Sequence, residues 1–287
     1  CFEKTRVKLK ELETAGKDFI HANLVGYPQS DRTYIVTQHP LESTYEDFWR
    51  MVFYENCDTI IAIYSPDENL PHYYPNVVGK YFNQGQFFVN CRKVTPPQSK
   101  YAPTTYVIEV LPEGCSNARM VTLLHYSLWP HGKVPVSPKV ILKLIRSITV
   151  DIGTKGPAVI HCATGTDRSG CFVLTDLIVD LMFRNLEVDI PAVIQTLRAQ
   201  RSKLLSNKVY FAFALYAAAD YVRLRLKRYK NAPDLLKEID TFALSVTKEW
   251  ASLIVKEQPQ PIQKTIALTA QSSTTTMTIF PDPEPKE

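Results

Sequence analysis

Residues 156–170 read GPAVIHCATGTDRSG, and this stretch governs both the fold and the chemistry of the 287-residue chain. A short apolar strand runs into a loop of small residues, and the loop opens into an apolar helix near Ser169. Successive backbone N–H groups of such a loop point inward at the N-terminus of the helix and bind anions. The segment therefore predicts an oxyanion site with Cys162 at its centre.

The residue types in this loop suit nucleophilic attack on phosphorus. Amide dipoles around a thiol lower its pKa, which would make Cys162 a thiolate. Arg168 can offer two parallel N–H groups to two phosphate oxygens, which lysine cannot imitate. We expect Ser169 to donate a hydrogen bond to the sulfur and His161 to orient the loop. A merely structural cysteine beside a surface arginine would not explain why the His, Gly and Ser residues also occupy these positions.

The loop resembles the HCxxGxxR[ST]G signature of the protein tyrosine phosphatase superfamily, and the resemblance continues in family order from residue 2 to about residue 225. Segments similar to the family's RVxL, DYINAN, YIxTQGP, DFWxMV, YWP and HYxxWPD motifs lie at 6–9, 18–23, 34–40, 47–52, 73–75 and 125–130. This coverage implies the tyrosine-specific branch of the superfamily rather than the smaller dual-specificity branch.

The resemblance implies an α/β (α+β) fold, a highly twisted mixed β-sheet flanked by helices. It implies a two-step reaction on a phosphotyrosine-containing protein, through a cysteinyl phosphate and without metal or cofactor. Tyr73 would hydrogen-bond to His161, Trp129 would lie in a mobile loop, and Glu68 is a candidate partner for Arg168. The residues implied to surround the phosphate are Ala163, Thr164, Gly165, Thr166, Asp167 and Arg168.

The mobile loop departs from the family pattern at the position of the general acid. Family members carry an Asp there, which protonates the leaving tyrosine oxygen, whereas this chain has His131. An imidazolium can donate a proton, and losing a positioned acid costs about 10²–10⁴-fold in rate. The alternative, that His131 is only a surface residue of the loop, stays open.

Residues 197–210 resemble the family's LRxQRxxMVQTxxQY segment, but Ser206 and Tyr210 replace its two glutamines. In the family the first of these glutamines positions the water that hydrolyses the cysteinyl phosphate. A serine is shorter, so the resemblance implies a hydrolytic water that is less well placed and a longer-lived phosphoenzyme.

Asp167 stands where most family members have glycine. A carboxylate directly before the loop arginine repels a phosphate dianion. It can also be a replacement acid, as in myotubularin-type lipid phosphatases, which raises a phosphoinositide as substrate. The variable loop positions Ala163, Thr164 and Thr166 offer no cation to further ring phosphates, so phosphotyrosine is favoured.

Three functions follow from these patterns. The first is a protein tyrosine phosphatase with weakened acid catalysis, in which His131 or Asp167 is the acid; the retained pair Cys162 and Arg168 favours it. The second is a pseudophosphatase that binds phosphotyrosine without turnover, favoured by the changed acid and glutamines. The third is a phosphoinositide phosphatase.

Composition supports an intracellular domain without nucleic acid as partner. The net charge is +4 without a Lys/Arg block, and the six cysteines include no C-x-x-C pair, which fits a reducing, cytoplasmic compartment. The longest apolar run, 209–219, is too short to cross a bilayer, so membrane attachment would need a segment outside this chain. The family's KNRY-like segment would precede Phe2, so we expect the amino-terminal part of the domain to be missing.

Periodicity and turn residues predict strands in the first half of the chain and helices in the second. Predicted strands are 18–25, 33–38, 59–64, 80–89, 106–110, 119–126 and 158–160. Predicted helices are 45–55, 138–149, 169–185, 188–200, 207–229 and 233–255. Residues 1–255 would form one phosphatase domain, and the Pro/Ser/Thr-rich residues 256–287 a disordered tail.

Overall fold

A nine-stranded mixed sheet forms the centre of the computed structural model, which describes residues 1–10, 18–149, 156–229 and 233–255. The strands are β1 (Arg6–Lys8), β2 (Phe19–Gly26), β3 (Thr33–Gln38), β4 (Thr59–Ile63), β5 (Tyr81–Gln84), β6 (Phe87–Thr95), β7 (Thr104–Pro112), β8 (Arg119–Tyr126) and β9 (Ala158–Cys162). Their order across the sheet is β1-β2-β3-β9-β4-β8-β7-β6-β5. The strand that ends in Cys162 therefore lies inside the sheet, although it is the last in sequence.

The four strands β3, β9, β4 and β8 run parallel to one another, while the outer strands pair antiparallel. Parallel strands end at the same edge of a sheet, and ligands bind in the crevice outside those carboxyl ends. The segments that follow β3, β4, β8 and β9 are the ones that carry His39, Glu68, Trp129 and the loop after Cys162. The topology thus collects residues that are far apart in sequence at one site.

Helices cover both faces of the sheet. They are α1 (Tyr45–Tyr54), α2 (Lys139–Thr149), α3 (Asp167–Phe183), α4 (Ile190–Gln200), α5 (Lys208–Tyr229) and α6 (Pro233–Glu249). Because side chains alternate along a strand, Val159 packs into the core on the α1 side and Ile160 into the core beneath α2 to α5. The mixed sheet flanked by helices confirms the predicted fold class.

Two predicted elements differ from the structure. Residues 80–89 are two strands of a hairpin, β5 and β6, because Gly85 adopts a φ of 58° at the turn. The predicted helix 233–255 ends at Glu249, and Ile254 instead makes a parallel bridge to Val134. This helix buries Ile239 and Val246, while Leu235 and Phe242 are exposed.

Residues Cys1–Val255 form one compact unit. The predicted tail, 256–287, lies outside the described residues.

Candidate active site

The loop between β9 and α3 is held against strand β3. Gly165 has a φ of 66°, and a Cβ on it would lie 2.0 Å from the backbone oxygen of Thr37. The backbone N–H of His39 donates to the carbonyl of Ala163 at 3.1 Å. Only glycine fits at position 165, for reasons of both conformation and space. The sequence-predicted phosphate loop therefore has a fixed shape.

A buried arginine beneath the loop, Arg201, binds the carbonyls of that loop. Its Nε donates to Gly165 O at 2.6 Å, and its two terminal nitrogens donate to Thr164 O at 3.4 Å and Asn23 Oδ1 at 2.9 Å. Burial lowers the pKa of Arg201 to about 10, which leaves it charged at neutral pH. Because the carbonyls of Thr164 and Gly165 point toward Arg201, the backbone N–H groups of the loop can point to the opposite side.

Cys162 is buried at the base of the loop, with 1% of its surface exposed. Burial alone raises the pKa of its thiol, but the charge of Arg168, the hydroxyl and amide of Ser169, and the amide of Gly165 outweigh burial. The pKa of Cys162 therefore lies below its ordinary value. The Ser169 hydroxyl contributes to this although its O–H···S geometry falls short of a regular hydrogen bond.

Arg168 is fixed by two neighbours, Glu68 and Trp129. Its two terminal nitrogens donate to the two oxygens of Glu68, each at 2.6 Å, and Nη1 also donates to the carbonyl of Trp129 at 2.7 Å. These bonds use three of the five N–H groups of an arginine. The Nε–H and the second Nη2–H remain as a fork for two phosphate oxygens. The predicted partnership with Glu68 is confirmed.

His161 precedes the nucleophile and is held by a buried hydroxyl. The hydroxyl of Tyr73 lies 2.7 Å from its Nε2, as the resemblance implied. Burial, together with His39 and His125, keeps the pKa of His161 well below its ordinary value. The imidazole is therefore neutral, so it orients the loop without adding charge beside the sulfur.

Residues 129–134 contact Arg168 and Tyr210. Trp129 is buried, and its indole N–H donates to Lys133 O at 2.7 Å. His131, at the position of the acid, is exposed. The next residue, Gly132, donates its N–H to the hydroxyl of Tyr210 at 2.8 Å. Tyr210 thus belongs to the site, which its place in the glutamine segment indicated but did not explain.

The remaining predicted site residues lie around the rim. Asp167 begins α3, and its carboxylate accepts the backbone N–H of Asn207 at 3.2 Å, which ties the phosphate loop to the glutamine segment. The hydroxyls of Thr164 and Thr166 bond to each other at 2.7 Å. Ser206 is exposed. In the described part of the chain, no group of three or more His, Cys, Asp or Glu residues is arranged to hold a metal ion.

Known proteins resemble the chain over most of this domain. The model of the protein-tyrosine phosphatase family matches residues 1–220. Human receptor-type tyrosine-protein phosphatase epsilon is 28% identical over 228 residues, which are 76% of this chain and 32% of that protein. Mouse receptor-type tyrosine-protein phosphatase N2 is 31% identical over 246 residues, 79% of this chain and 23% of that protein.

A third relative, the tyrosine-protein phosphatase Lar-like protein of Caenorhabditis elegans, is 30% identical over 230 residues, 77% of this chain and 10% of that protein. The chain therefore spans about a third or less of the length of these relatives. The family match covers more than half of the chain and includes Cys162, Arg168 and their supporting residues. This chain belongs to the protein-tyrosine phosphatase family.

Proposed function

We propose that the chain hydrolyses phosphotyrosine in proteins through a cysteinyl-phosphate intermediate. The observation that carries the proposal is the pairing of Arg168, which two hydrogen bonds hold against Glu68, with the Cys162 thiol, whose pKa is lowered, despite burial, by the charge of Arg168 and by the amides of Ser169 and Gly165. Such a site stabilises the charge on a transferred phosphoryl group without a metal. The site needs no cofactor.

The reaction would proceed in two steps. The thiolate of Cys162 attacks phosphorus, and the bond between phosphorus and the tyrosine oxygen breaks. That oxygen takes a proton from a general acid. Water then attacks the cysteinyl phosphate and gives a proton to the group that acted as acid, the phosphorus–sulfur bond breaks, and inorganic phosphate and the thiolate are released. The Ser169 hydroxyl is near enough to stabilise the departing sulfur. His131 and Asp167 are the two candidate acids, and Asp167 is already engaged by a backbone N–H.

A second candidate function is a pseudophosphatase that binds phosphotyrosine as a regulatory module. It is supported by the exposed position of His131 and by Ser206, whose exposed side chain is shorter than a glutamine. Both changes affect turnover and leave the oxyanion site intact. A phosphoinositide phosphatase is less well supported, because Ala163, Thr164 and Thr166 bring no cation to the rim.

The deciding experiment compares two substrates on the same preparation. An aryl phosphate with a good leaving group needs little help from an acid, so we expect it to be hydrolysed faster than a phosphotyrosine peptide. Cys162→Ser should abolish both activities while the urea unfolding curve stays that of the parent. Hydrolysis of neither substrate, with phosphopeptide binding that Arg168→Ala removes, would refute the enzyme and support the binding module.

The physiological setting is part of the proposal. All six cysteines are free thiols, which supports a reducing, cytoplasmic location for this domain, whether alone or within a larger protein. In the described residues no helix has both the length and the apolar character needed to cross a membrane. A phosphotyrosine-containing protein is the proposed partner.

A further inference from the structure

The loop over the active site is held at three points. Arg168 donates to the carbonyl of Trp129 at 2.7 Å, and Tyr210 accepts the N–H of Gly132 at 2.8 Å. Val134 exchanges two backbone hydrogen bonds with residues 253–255, at 3.1 and 3.0 Å. The contact with Arg168 involves the phosphate-binding group itself. The contact with Tyr210 comes from outside the phosphate loop, so its effect on the loop can be separated from phosphate binding.

Tyr210 is built into this position by its helix. It lies in the first turn of α5 with 2% of its surface exposed, and its ring centroid lies 6.2 Å from that of Trp129. Burial raises the pKa of its phenol to about 12, while Arg168 and the Gly132 N–H act in the opposite direction. The hydroxyl therefore stays protonated at neutral pH and can accept the Gly132 N–H throughout the working range.

We propose that Tyr210 is a positioning residue that holds the acid-bearing loop, residues 129–134, closed over the oxyanion site. The tyrosine stands where the family has a glutamine, and its longer, rigid side chain carries the hydroxyl directly to the loop backbone. A single hydrogen bond to a backbone N–H changes an open–closed equilibrium by about two- to tenfold. The role of the loop in catalysis rests on the proposed function, but its closure is observable without turnover.

The test uses Tyr210→Phe, which keeps the ring against Trp129 and removes only the hydroxyl. The matched control is Tyr216→Phe, a tyrosine on the same helix. Both variants and the parent chain are labelled with 5-fluorotryptophan and compared by ¹⁹F NMR relaxation dispersion. The chain contains three tryptophans, and the Trp129 resonance reports the loop directly. Tungstate release, measured by stopped flow, is the second readout, because loop opening precedes escape of a bound oxyanion.

Tyr210→Phe should raise the open population at Trp129 by about two- to tenfold and speed tungstate release by a similar factor. Tyr216→Phe should leave both unchanged. The proposal is overturned if Trp129 exchange is the same in Tyr210→Phe and parent, or if all three tryptophans change alike in both variants. A chain that binds tungstate but hydrolyses no phosphate ester would refute the proposed enzyme. The exchange measured at Trp129 would still test whether Tyr210 holds residues 129–134 closed.

Discussion

Acidification should destabilise this fold through His125, a histidine at the carboxyl end of β8. Its Nε2 lies 3.0 Å from the carbonyl of Tyr64 and its Nδ1 lies 3.1 Å from the hydroxyl of Tyr74. A carbonyl only accepts, so Nε2 carries the proton and Nδ1 accepts from Tyr74. The ring also stacks on Tyr64, whose own ring stacks on His161 at 6.0 Å. A charge on this imidazole would therefore arise one ring away from the nucleophile's loop.

The size of the effect follows from linkage. Burial, aided by His72 and His39 and opposed by the bond to Tyr64, lowers the pKa of His125 from 6.5 to about 4. In the unfolded chain His125 therefore becomes protonated below pH 6.5, whereas in the folded chain it becomes protonated only near pH 4. The contribution of neutral His125 to the free energy of unfolding is fully present above pH 6.5. It is lost as the pH falls from 6.5 to about 4. The loss amounts to about 3 kcal/mol.

The assay is urea unfolding at a series of pH values from 7.5 to 4, with His125→Gln beside the parent. Glutamine keeps one donor and one acceptor but cannot titrate, so its free energy of unfolding should fall less steeply between about pH 6.5 and 4. Equal slopes in the parent and His125→Gln would refute the reasoning, because the pH dependence would then come from other groups.

Two further substitutions test the frame of the site. Gly165→Ala places a Cβ against the Thr37 carbonyl at positive φ and should unfold at lower urea than Gly114→Ala, which has positive φ but open space. Gly114→Ala measures only the cost of the backbone strain, about 1–3 kcal/mol. Equal losses in the free energy of unfolding for the two variants would contradict the close approach of residue 165 to the Thr37 carbonyl. Glu68→Gln removes the charge opposite the loop arginine and should weaken tungstate binding about tenfold by calorimetric titration, and unchanged affinity would contradict its role.

The phosphate loop could be predicted from sequence because its determinants are local. Cys162, Gly165 and Arg168 lie within one short segment, and each is the residue type that the geometry demands. Tyr73 and Glu68 are distant in sequence, and they were reached only through the resemblance to a known family. Both contacts are present in the structure.

Other features depend on tertiary packing that periodicity does not encode. Aromatic residues typical of strands lie on both sides of Gly85, so the composition of 80–89 does not reveal that the chain reverses there. From its residue type alone, Arg201 is predicted to lie on the surface. It is only 1% exposed because carbonyls of the phosphate loop accept its hydrogen bonds. Its one signal was its place in a segment resembling the family's LRxQR motif. The bridge between Val134 and Ile254 joins segments more than a hundred residues apart and has no local signal.

Three of the four positions where this chain departs from its family, His131, Ser206 and Tyr210, lie outside the phosphate loop, and the fourth, Asp167, lies within it. The groups that bind an oxyanion, Cys162, Arg168 and the loop amides, keep their geometry and their supports. His131, Ser206 and Tyr210 lie in the segments 129–134 and 197–210, and under the proposed function they would act on proton transfer, water placement and loop opening. We therefore expect experiments to separate the binding of an oxyanion from turnover. Tungstate binding together with slow phosphopeptide hydrolysis would assign the catalytic defect to residues 129–134 or 197–210. Loss of both tungstate binding and hydrolysis would assign it to the phosphate loop.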